Sequence, residues 1–521
     1  MEKQYIMGID FGTTGTKAVI YDPDGNSIGQ AYLATSMGYP RPGWVSQDAQ
    51  EIVDKTLLAV KQALEKTGMD SKDIVAIGIT HVCTTCVPVD KDGKFLYSIL
   101  SWQDMRGVDM FPYMRGLWKK NGYTEESIYQ KSGMVLGSLP MLSKVLWYRE
   151  HEPELWAKTD KIIGMQAMLN HALTGGKYYD DEPSITQTML ANPDTMDFDQ
   201  DLLDMYGLDR SLYPDNLYPT ELVGPVSKEA AAITGLKAGT PVYMATGDCR
   251  LSPLGVGVTS EETLSMTLGT IGIFHAVTSK SMRDKNGKLY IVGNAVKGNW
   301  QFEAFAQAGA SCLEWFKENF CQLEDANAKL TGQNVFTYLN KEAERSPIGA
   351  RGLLFGPWLN AATCIREDFD AMGTFTGLTF AHNKCDMVRA VMEGVCFEMK
   401  FVLEGIQECT GVRVKAIRSA GGGSKSDLWN QMQADIYNLP IELTKTSEAT
   451  SLGAAMCAAV GHGFYKDLSE AADHMVKLDK RYDPIPEHVK QYQELAAIYE
   501  KMYAATSKVF PDLNSYQKTH Y

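Results

Sequence analysis

At 521 residues the chain is too long for one ordinary hydrophobic core, so two large domains or three smaller ones are expected. Its 50 Lys plus Arg stand against 64 Asp plus Glu, a net charge of -14, and no basic run offsets this, which excludes a nucleic-acid surface built on clustered positive charge. With no basic-then-apolar leader and no apolar run of transmembrane length, the expectation is a cytoplasmic protein with no membrane partner, its 10 cysteines kept as thiols.

The first informative stretch is Ile6-Met7-Gly8-Ile9-Asp10-Phe11-Gly12-Thr13-Thr14-Gly15-Thr16-Lys17. Its spacing is superficially that of a Walker A loop, but that motif opens a helix after its lysine. Here Ala18-Val19-Ile20-Tyr21 is β-rich and ends at the turn signal Asp22-Pro23-Asp24-Gly25-Asn26, so Gly12 and Gly15 are predicted in the bend of an antiparallel hairpin. Glycine lets backbone N–H groups approach an anion, and Thr13 and Thr14 add hydroxyl donors. A carboxylate beside a polyphosphate is repulsive unless a cation lies between, so Asp10 reads as a partner of Mg²⁺, directly or through water. A glycine-rich hairpin with a solvated aspartate is the plainer alternative.

A third extended run, Ser27 to Ala34, follows, then Gly43-Trp44-Val45-Ser46-Gln47-Asp48 leads into a helix. Val53, Leu57, Val60 and Leu64 give that helix its face, Gly68 closes it, and Ile74 to Thr80 is the next strand. Three antiparallel strands, a helix and a buried strand predict a mixed α/β sheet between helices, with site residues at strand ends. His81, Cys83 and Thr84 stand at such an end. Cys83-Thr84-Thr85-Cys86 has redox spacing but lacks a second pair for zinc. Pro140 to Glu154 reads as a helix; residues 175 to 194 are polar and turn-rich, and carry no chemical assignment.

An apolar strand, Pro241 to Thr246, stops at Gly247-Asp248, and Leu264 to Phe274 follows. Setting Asp10-Phe11-Gly12-Thr13-Thr14-Gly15 against Thr267-Leu268-Gly269-Thr270-Ile271-Gly272 aligns both glycines and a threonine without gaps. Two related Gly-Thr hairpins would clamp a nucleotide polyphosphate from both sides, and only the first carries the carboxylate. Farther on, Val414 to Ala420 runs into Gly421-Gly422-Gly423 and a helix bearing Leu428, Met432 and Ile436. Glycines at that turn admit a flat ligand, while Ser424 or Ser426 either caps the helix or donates to a ribose or base. Glu448 to Ala455 opens a small-residue helix read as packing alone.

In this order the motifs resemble the FGGY family of carbohydrate kinases over nearly the whole chain. The resemblance is carried by the Asp10-to-Lys17 loop, Gly247-Asp248, Gly269-Thr270, Ala308-Gly309-Ala310-Ser311, Gly421 to Gly423 and Glu448 to Ala455. The longer signature Gly373-Thr374-Phe375-Thr376-Gly377-Leu378, with Asp386 to Glu393, joins them. It implies an α/β fold of two ribonuclease-H-like, actin-like ATPase domains with a central cleft, residues 1–253 and 254–521. The first would hold the sugar side, the first hairpin and the base; the second would hold the second hairpin and the adenosine side. It implies ATP and Mg²⁺ as cofactors, a small-molecule sugar as substrate, and it allows a homodimer. Asp248 matches the catalytic base and Asp10 the metal partner. Gly12, Thr13, Thr14, Lys17, Gly269, Thr270, Gly309, Gly422, Gly423 and Ser426 match the ATP and phosphate set.

The sugar side departs from the pattern. Glycerol kinases place Arg-Glu, and xylulokinases Met-His, where this chain has Cys83-Thr84, although His81 lies close enough in sequence to reach the same space. Trp102-Gln103-Asp104-Met105-Arg106 resembles the substrate-side Trp-x-Asp-x-Arg pattern, with Asp104 an acceptor and Arg106 a donor for hydroxyls. Cys249 takes a place that is polar in glycerol kinases. The implied substrate is a ketose such as xylulose, a deoxysugar, or another polyhydroxy ketone of the autoinducer dihydroxypentanedione type. A competing class is an actin-like chaperone or filament ATPase, which has no use for Asp248 or the Trp102 segment. A catalytically dead sugar sensor would not retain Asp10 and Asp248.

Overall fold

The computed structural model describes residues 4–362 and 364–520. The chain divides into two compact units whose membership is not sequential. One takes the chain up to Ser260, Val277–Phe302 and Glu448–Lys477; the other takes Glu261–Ala276, Glu303–Ser447 and the chain from Leu478.

The first unit is built on a sheet in the order Ser27–Ala34, Gly15–Tyr21, Tyr5–Gly12, Ile74–His81, Pro241–Tyr243, Leu222–Pro225. The first three strands form the predicted antiparallel pair of hairpins, and Ile74–His81 and then Pro241–Tyr243 add in parallel. Tyr5–Gly12 is buried along nearly its whole length instead of at alternate residues, as a central strand covered on both faces must be. One cover is the helix Ala49–Thr67, started by the Asp48 carboxylate accepting from Glu51 N–H and stopped by Gly68 in the left-handed region. Its buried Ile52, Leu57, Val60 and Leu64 belong to the same core cluster as Ile9, Ile77 and Ile79.

The opposite cover comes from far down the chain. The small-residue helix Ala449–His462 lies so close to the two central strands that a Cβ on Gly8 would fall 2.0 Å from the Ser451 carbonyl oxygen, and one on Gly78 would fall 2.1 Å from that of Ala454. Only strands with glycine at both positions admit a helix at that distance, and the contact delivers its first turn to Asp10.

Two predicted boundaries shift. The helix expected over Pro140 to Glu154 runs Met141–His151 and resumes for one turn at Pro153–Trp156. Glu152 between them has φ −127° and ψ 57°, because a residue before proline is driven out of the helical region. The strand expected to reach the Gly-Asp pair ends at Tyr243, and Asp248 is the first residue of the helix Asp248–Gly255. The polar segment 175–194 contains the short strand Tyr179–Asp181, parallel to Asp215–Leu217, and the single helical turn Glu182–Ile185, which Asp181 caps.

The second unit repeats the plan. Thr263–Leu268 and Gly272–Thr278 form the expected second hairpin, and Ala416–Ala420 and Ile441–Thr444 follow in parallel. The signature stretch Asp386 to Glu393 lies in the helix Lys384–Thr410 and serves its packing. Asp386 closes a capping box with Asn383, while Arg389 and Glu393 form a buried pair at 2.7 Å that shares the Tyr492 hydroxyl. Among the described residues no helix is long and apolar enough to cross a membrane.

Candidate active site

The first hairpin turns at Thr13-Thr14, with Gly12 opposite Gly15 and Asp10 opposite Lys17. Thr14 is exposed and Thr13 half-buried, so the bend lies at the surface, as phosphate binding needs. The turn is held from behind: Gln47 Nε2 donates to the Thr13 carbonyl at 3.2 Å, and the Trp102 indole N–H donates to Thr13 Oγ1 at 3.2 Å. Lys17 does not extend freely from this bend; it forms an ion pair with Glu448. Thr450, the second residue of the covering helix, donates its hydroxyl to Asp10. Glu448 to Ala455, read from sequence as packing alone, therefore also supplies two polar groups to this corner. Burial raises the Asp10 carboxyl to about 6; the Thr450 hydrogen bond and Lys17 pull it down, while the charges of Asp248 and Glu448 push it up.

Asp248 stands at the start of its helix, half-buried, with one carboxylate oxygen accepting from Cys249 N–H at 2.8 Å. The preceding turn is packed against the end of strand Ile74–His81: a Cβ on Gly247 would fall 2.1 Å from Cys83 Sγ. Two residues beyond Asp248, the wholly buried Arg250 donates to Cys83 Sγ at 3.1 Å, Gln187 Oε1 at 3.2 Å and the Gly293 carbonyl at 3.2 Å.

His81 is buried, one ring nitrogen 3.0 Å from the Val82 carbonyl and the other 3.5 Å from Asp181 Oδ2. Burial alone would lower the imidazole, but the Asp181 hydrogen bond and the neighbouring Cys83 overcome it and carry it up to about 9. The same pairing holds the Asp181 carboxyl below its ordinary value despite its burial, so the pair is ionic at neutral pH. Asp181 also accepts from Thr246 Oγ1 and, at 2.9 Å, from Ser184 N–H, which ties the imidazole to the loop that carries Asp248. With Asp181→Asn the His81 titration midpoint is expected to fall from about 9, because burial then loses its largest opponent while Cys83 and the Val82 carbonyl remain; imidazole NMR resonances followed against pH read this directly. An unmoved midpoint would show that another group holds the proton.

Thr84 has φ 57°, rare for a β-branched residue. Its hydroxyl turns back to the Cys83 carbonyl at 2.8 Å, and its own carbonyl accepts from Lys144 Nζ at 3.2 Å. Lys144 is wholly buried, and burial lowers its ammonium to about 8. The lysine thus fixes the backbone of the segment that carries Cys83 and Thr84.

Three expected ligand residues face inward. Asp104 and Arg106 are buried at 0% and 2% exposure. Asp104 accepts from the Arg106 backbone N–H at 2.9 Å, from its Nε at 3.0 Å, and from Val45 N–H at 2.6 Å; the guanidinium lies over Trp44 at 4.3 Å and Trp147 at 5.2 Å. A spacing of two lets the carboxylate close a ring on the arginine's own backbone, so the pair braces the Trp102 loop instead of addressing hydroxyls. In the second unit, Ser426 is the N-cap of the helix Asp427–Tyr437, accepting from Trp429 N–H at 3.1 Å and donating to Asn340 Oδ1 at 3.0 Å. Of the two sequence alternatives, its hydroxyl takes the cap.

The Gly269-Thr270 turn has Thr270 exposed, and Gly309 lies directly beneath it, where a Cβ would meet three turn atoms at 2.6 Å. That close seat brings the first amide of the helix Ala310–Phe320 to the Gly269 carbonyl at 2.7 Å. Gly423 packs on Leu268, and Gly422 borders open space. Asp181, Gln187 and Arg250 receive no role from the sequence, and Glu448 and Thr450 receive only that of packing. Asp180-Asp181-Glu182, three acids in a polar segment, was the one signal available for the first of them.

The model of the FGGY family of carbohydrate kinases, N-terminal domain, matches residues 5–255, and that of its C-terminal domain matches residues 264–462. A xylulose kinase of Staphylococcus epidermidis is 28% identical over 513 residues, 98% of this chain and 99% of that protein. An autoinducer-2 kinase of Yersinia enterocolitica is 29% identical over 504 residues, 96% of this chain and 94% of that protein. The crystal structure of gluconate kinase from Lactobacillus acidophilus superimposes with a TM-score of 0.87 at 25% identity, covering 98% of this chain and 99% of that one.

Proposed function

From the premise that the chain belongs to the FGGY family of carbohydrate kinases, we propose that it transfers the γ-phosphoryl group of ATP to a hydroxyl of a small uncharged ketose, xylulose foremost. The observation that carries this reading is the pairing of the cations beside Asp248. His81 is matched by Asp181, and Arg250 is buried against Gln187, Cys83 and a carbonyl. A pocket whose cations are already engaged by the protein's own groups suits hydroxyls, whereas an aldonate carboxylate calls for a cation of its own.

In this reading Asp248 accepts the proton of the attacking hydroxyl, and the His81–Asp181 pair with Thr246 holds the loop in place. Each unit offers its own Gly-Thr turn to phosphate, Thr13-Thr14 in one and Gly269-Thr270 in the other, and the Gly421–Gly423 turn suits a nucleoside. The donors at Asp10 fit Mg²⁺: a half-buried carboxylate raised chiefly by desolvation, and further by two neighbouring acids, is a site that a hard cation relieves, and Thr450 orients it. Bound there, Mg²⁺ would neutralise phosphate charge. The relative named as an autoinducer-2 kinase supports a second reading, a dihydroxypentanedione acceptor.

The test is kcat/KM with Mg-ATP over xylulose, ribulose, gluconate, glycerol and dihydroxypentanedione, with the product identified by ³¹P NMR. Xylulose is expected to exceed gluconate and glycerol by at least about tenfold, about the discrimination one matched polar contact gives. A preference for gluconate would overturn the ketose reading. ATP hydrolysis that no acceptor stimulates would point to a conformational ATPase.

A further inference from the structure

We propose that Cys83, Asp248 and Cys249 form a binding site for a thiophilic divalent cation, Zn²⁺ in particular, whose occupancy switches phosphoryl transfer off. Cys83 is buried just past the strand Ile74–His81, and Cys249 is half-buried as the second residue of the helix Asp248–Gly255. The two sulfurs and a carboxylate oxygen of Asp248 all lie within 4.8 Å of one another. Around a tetrahedral Zn²⁺ with Zn–S of about 2.3 Å, two thiolates stand about 3.7 Å apart, so a side-chain movement of about 1 Å closes the set and leaves the fourth position for water.

The surroundings fit that occupant in position, charge and softness. Cys83 is held in place by the Gly247 turn, which leaves no room for a Cβ, and Cys249 is fixed through its backbone by Asp248 and by Gln301 Nε2, which donates to its carbonyl at 2.9 Å. Two thiolates and a carboxylate carry three negative charges; Zn²⁺ and the Arg250 guanidinium, 3.1 Å from Cys83 Sγ, carry three positive ones. Thiolate ligands select zinc over magnesium, so the Mg²⁺ of the nucleotide does not compete for the site. Binding releases the thiol protons to solvent, with no redox change.

The switching half of the proposal rests on Asp248 acting as the base: a carboxylate oxygen shared with a metal no longer accepts the substrate proton. The binding half does not rest on it. Reduced full-length protein is titrated first with Co²⁺ and then with Zn²⁺, and turnover is followed separately at saturating Mg-ATP. Co²⁺ is expected to give a near-ultraviolet thiolate charge-transfer band that Zn²⁺ displaces, with loss of turnover at the same Zn²⁺ midpoint and recovery on adding chelator. Cys249→Ser is expected to lose at least half of the band and to shift the Zn²⁺ midpoint at least tenfold, whereas Cys409→Ser, in the other unit, keeps both. No band, or a band intact in Cys249→Ser, overturns the site. Equal inhibition of Cys249→Ser places the metal on the nucleotide and overturns the switch. Band displacement by Zn²⁺ with turnover unchanged overturns the switch through Asp248 and counts against the base assignment, while leaving the binding site established.

Discussion

Asp248→Asn is expected to lower kcat by about 10²- to 10⁴-fold, the usual worth of general-base assistance, which is a barrier increase of about 3–5 kcal/mol. The substitution is nearly isosteric, and an amide oxygen can still accept from Cys249 N–H, so the helix start and the turn at Gly247 should keep their geometry. ATP affinity measured by calorimetry is therefore expected to change little. A second readout separates loss of a base from general damage. The Asp248 charge helps to raise the Asp10 carboxyl, so removing it should shift the acid limb of the ATP KM profile to lower pH. Turnover near that of the wild type would refute the assignment of the base; loss of turnover together with ATP affinity would make Asp248 a nucleotide-site residue instead.

The elements that position this site were readable where a single physical signal governed them. The Gly12 to Gly15 bend and its partner at Gly269-Thr270 follow from turn chemistry and β-rich flanks, and the helix Ala49–Thr67 follows from one apolar stripe with a cap at each end. What sequence could not supply was long-range pairing. Glu448 and Thr450 lie more than four hundred residues from Lys17 and Asp10, and they reach them because Gly8 and Gly78 let a helix settle on the strands. Asp181 sits in a segment with neither helical nor strand period, and only the fold brings it to His81. Asp104 and Arg106 were misplaced for the converse reason. A Trp-x-Asp-x-Arg spacing states which groups are available, not whether a tryptophan-lined pocket such as that of Trp44 and Trp147 turns them inward.

Asp10→Asn is expected to act in opposite directions on stability and on function. In the folded protein the Asp10 carboxyl titrates at about 6 against an ordinary 3.8, so the fold prefers it protonated. The sign follows from linkage: this contribution is fully present below the ordinary value and is lost as pH rises through about 6, on the order of 3 kcal/mol by neutral pH. The asparagine variant carries no such charge. Its urea midpoint at neutral pH should therefore exceed that of the ligand-free wild type, and the two should converge in acid. Mg-ATP reverses the order, because the ionised carboxylate is the form that a hard cation holds. Wild-type KM for Mg-ATP should rise as pH falls below about 6, while the variant shows a uniformly high KM with no such limb. The ratio of kcat/KM between two sugars should stay unchanged, since the carboxylate serves the phosphate end alone. A variant less stable than the wild type at neutral pH, or one with an altered sugar ratio, would show that Asp10 holds the hairpin or the acceptor instead of the metal.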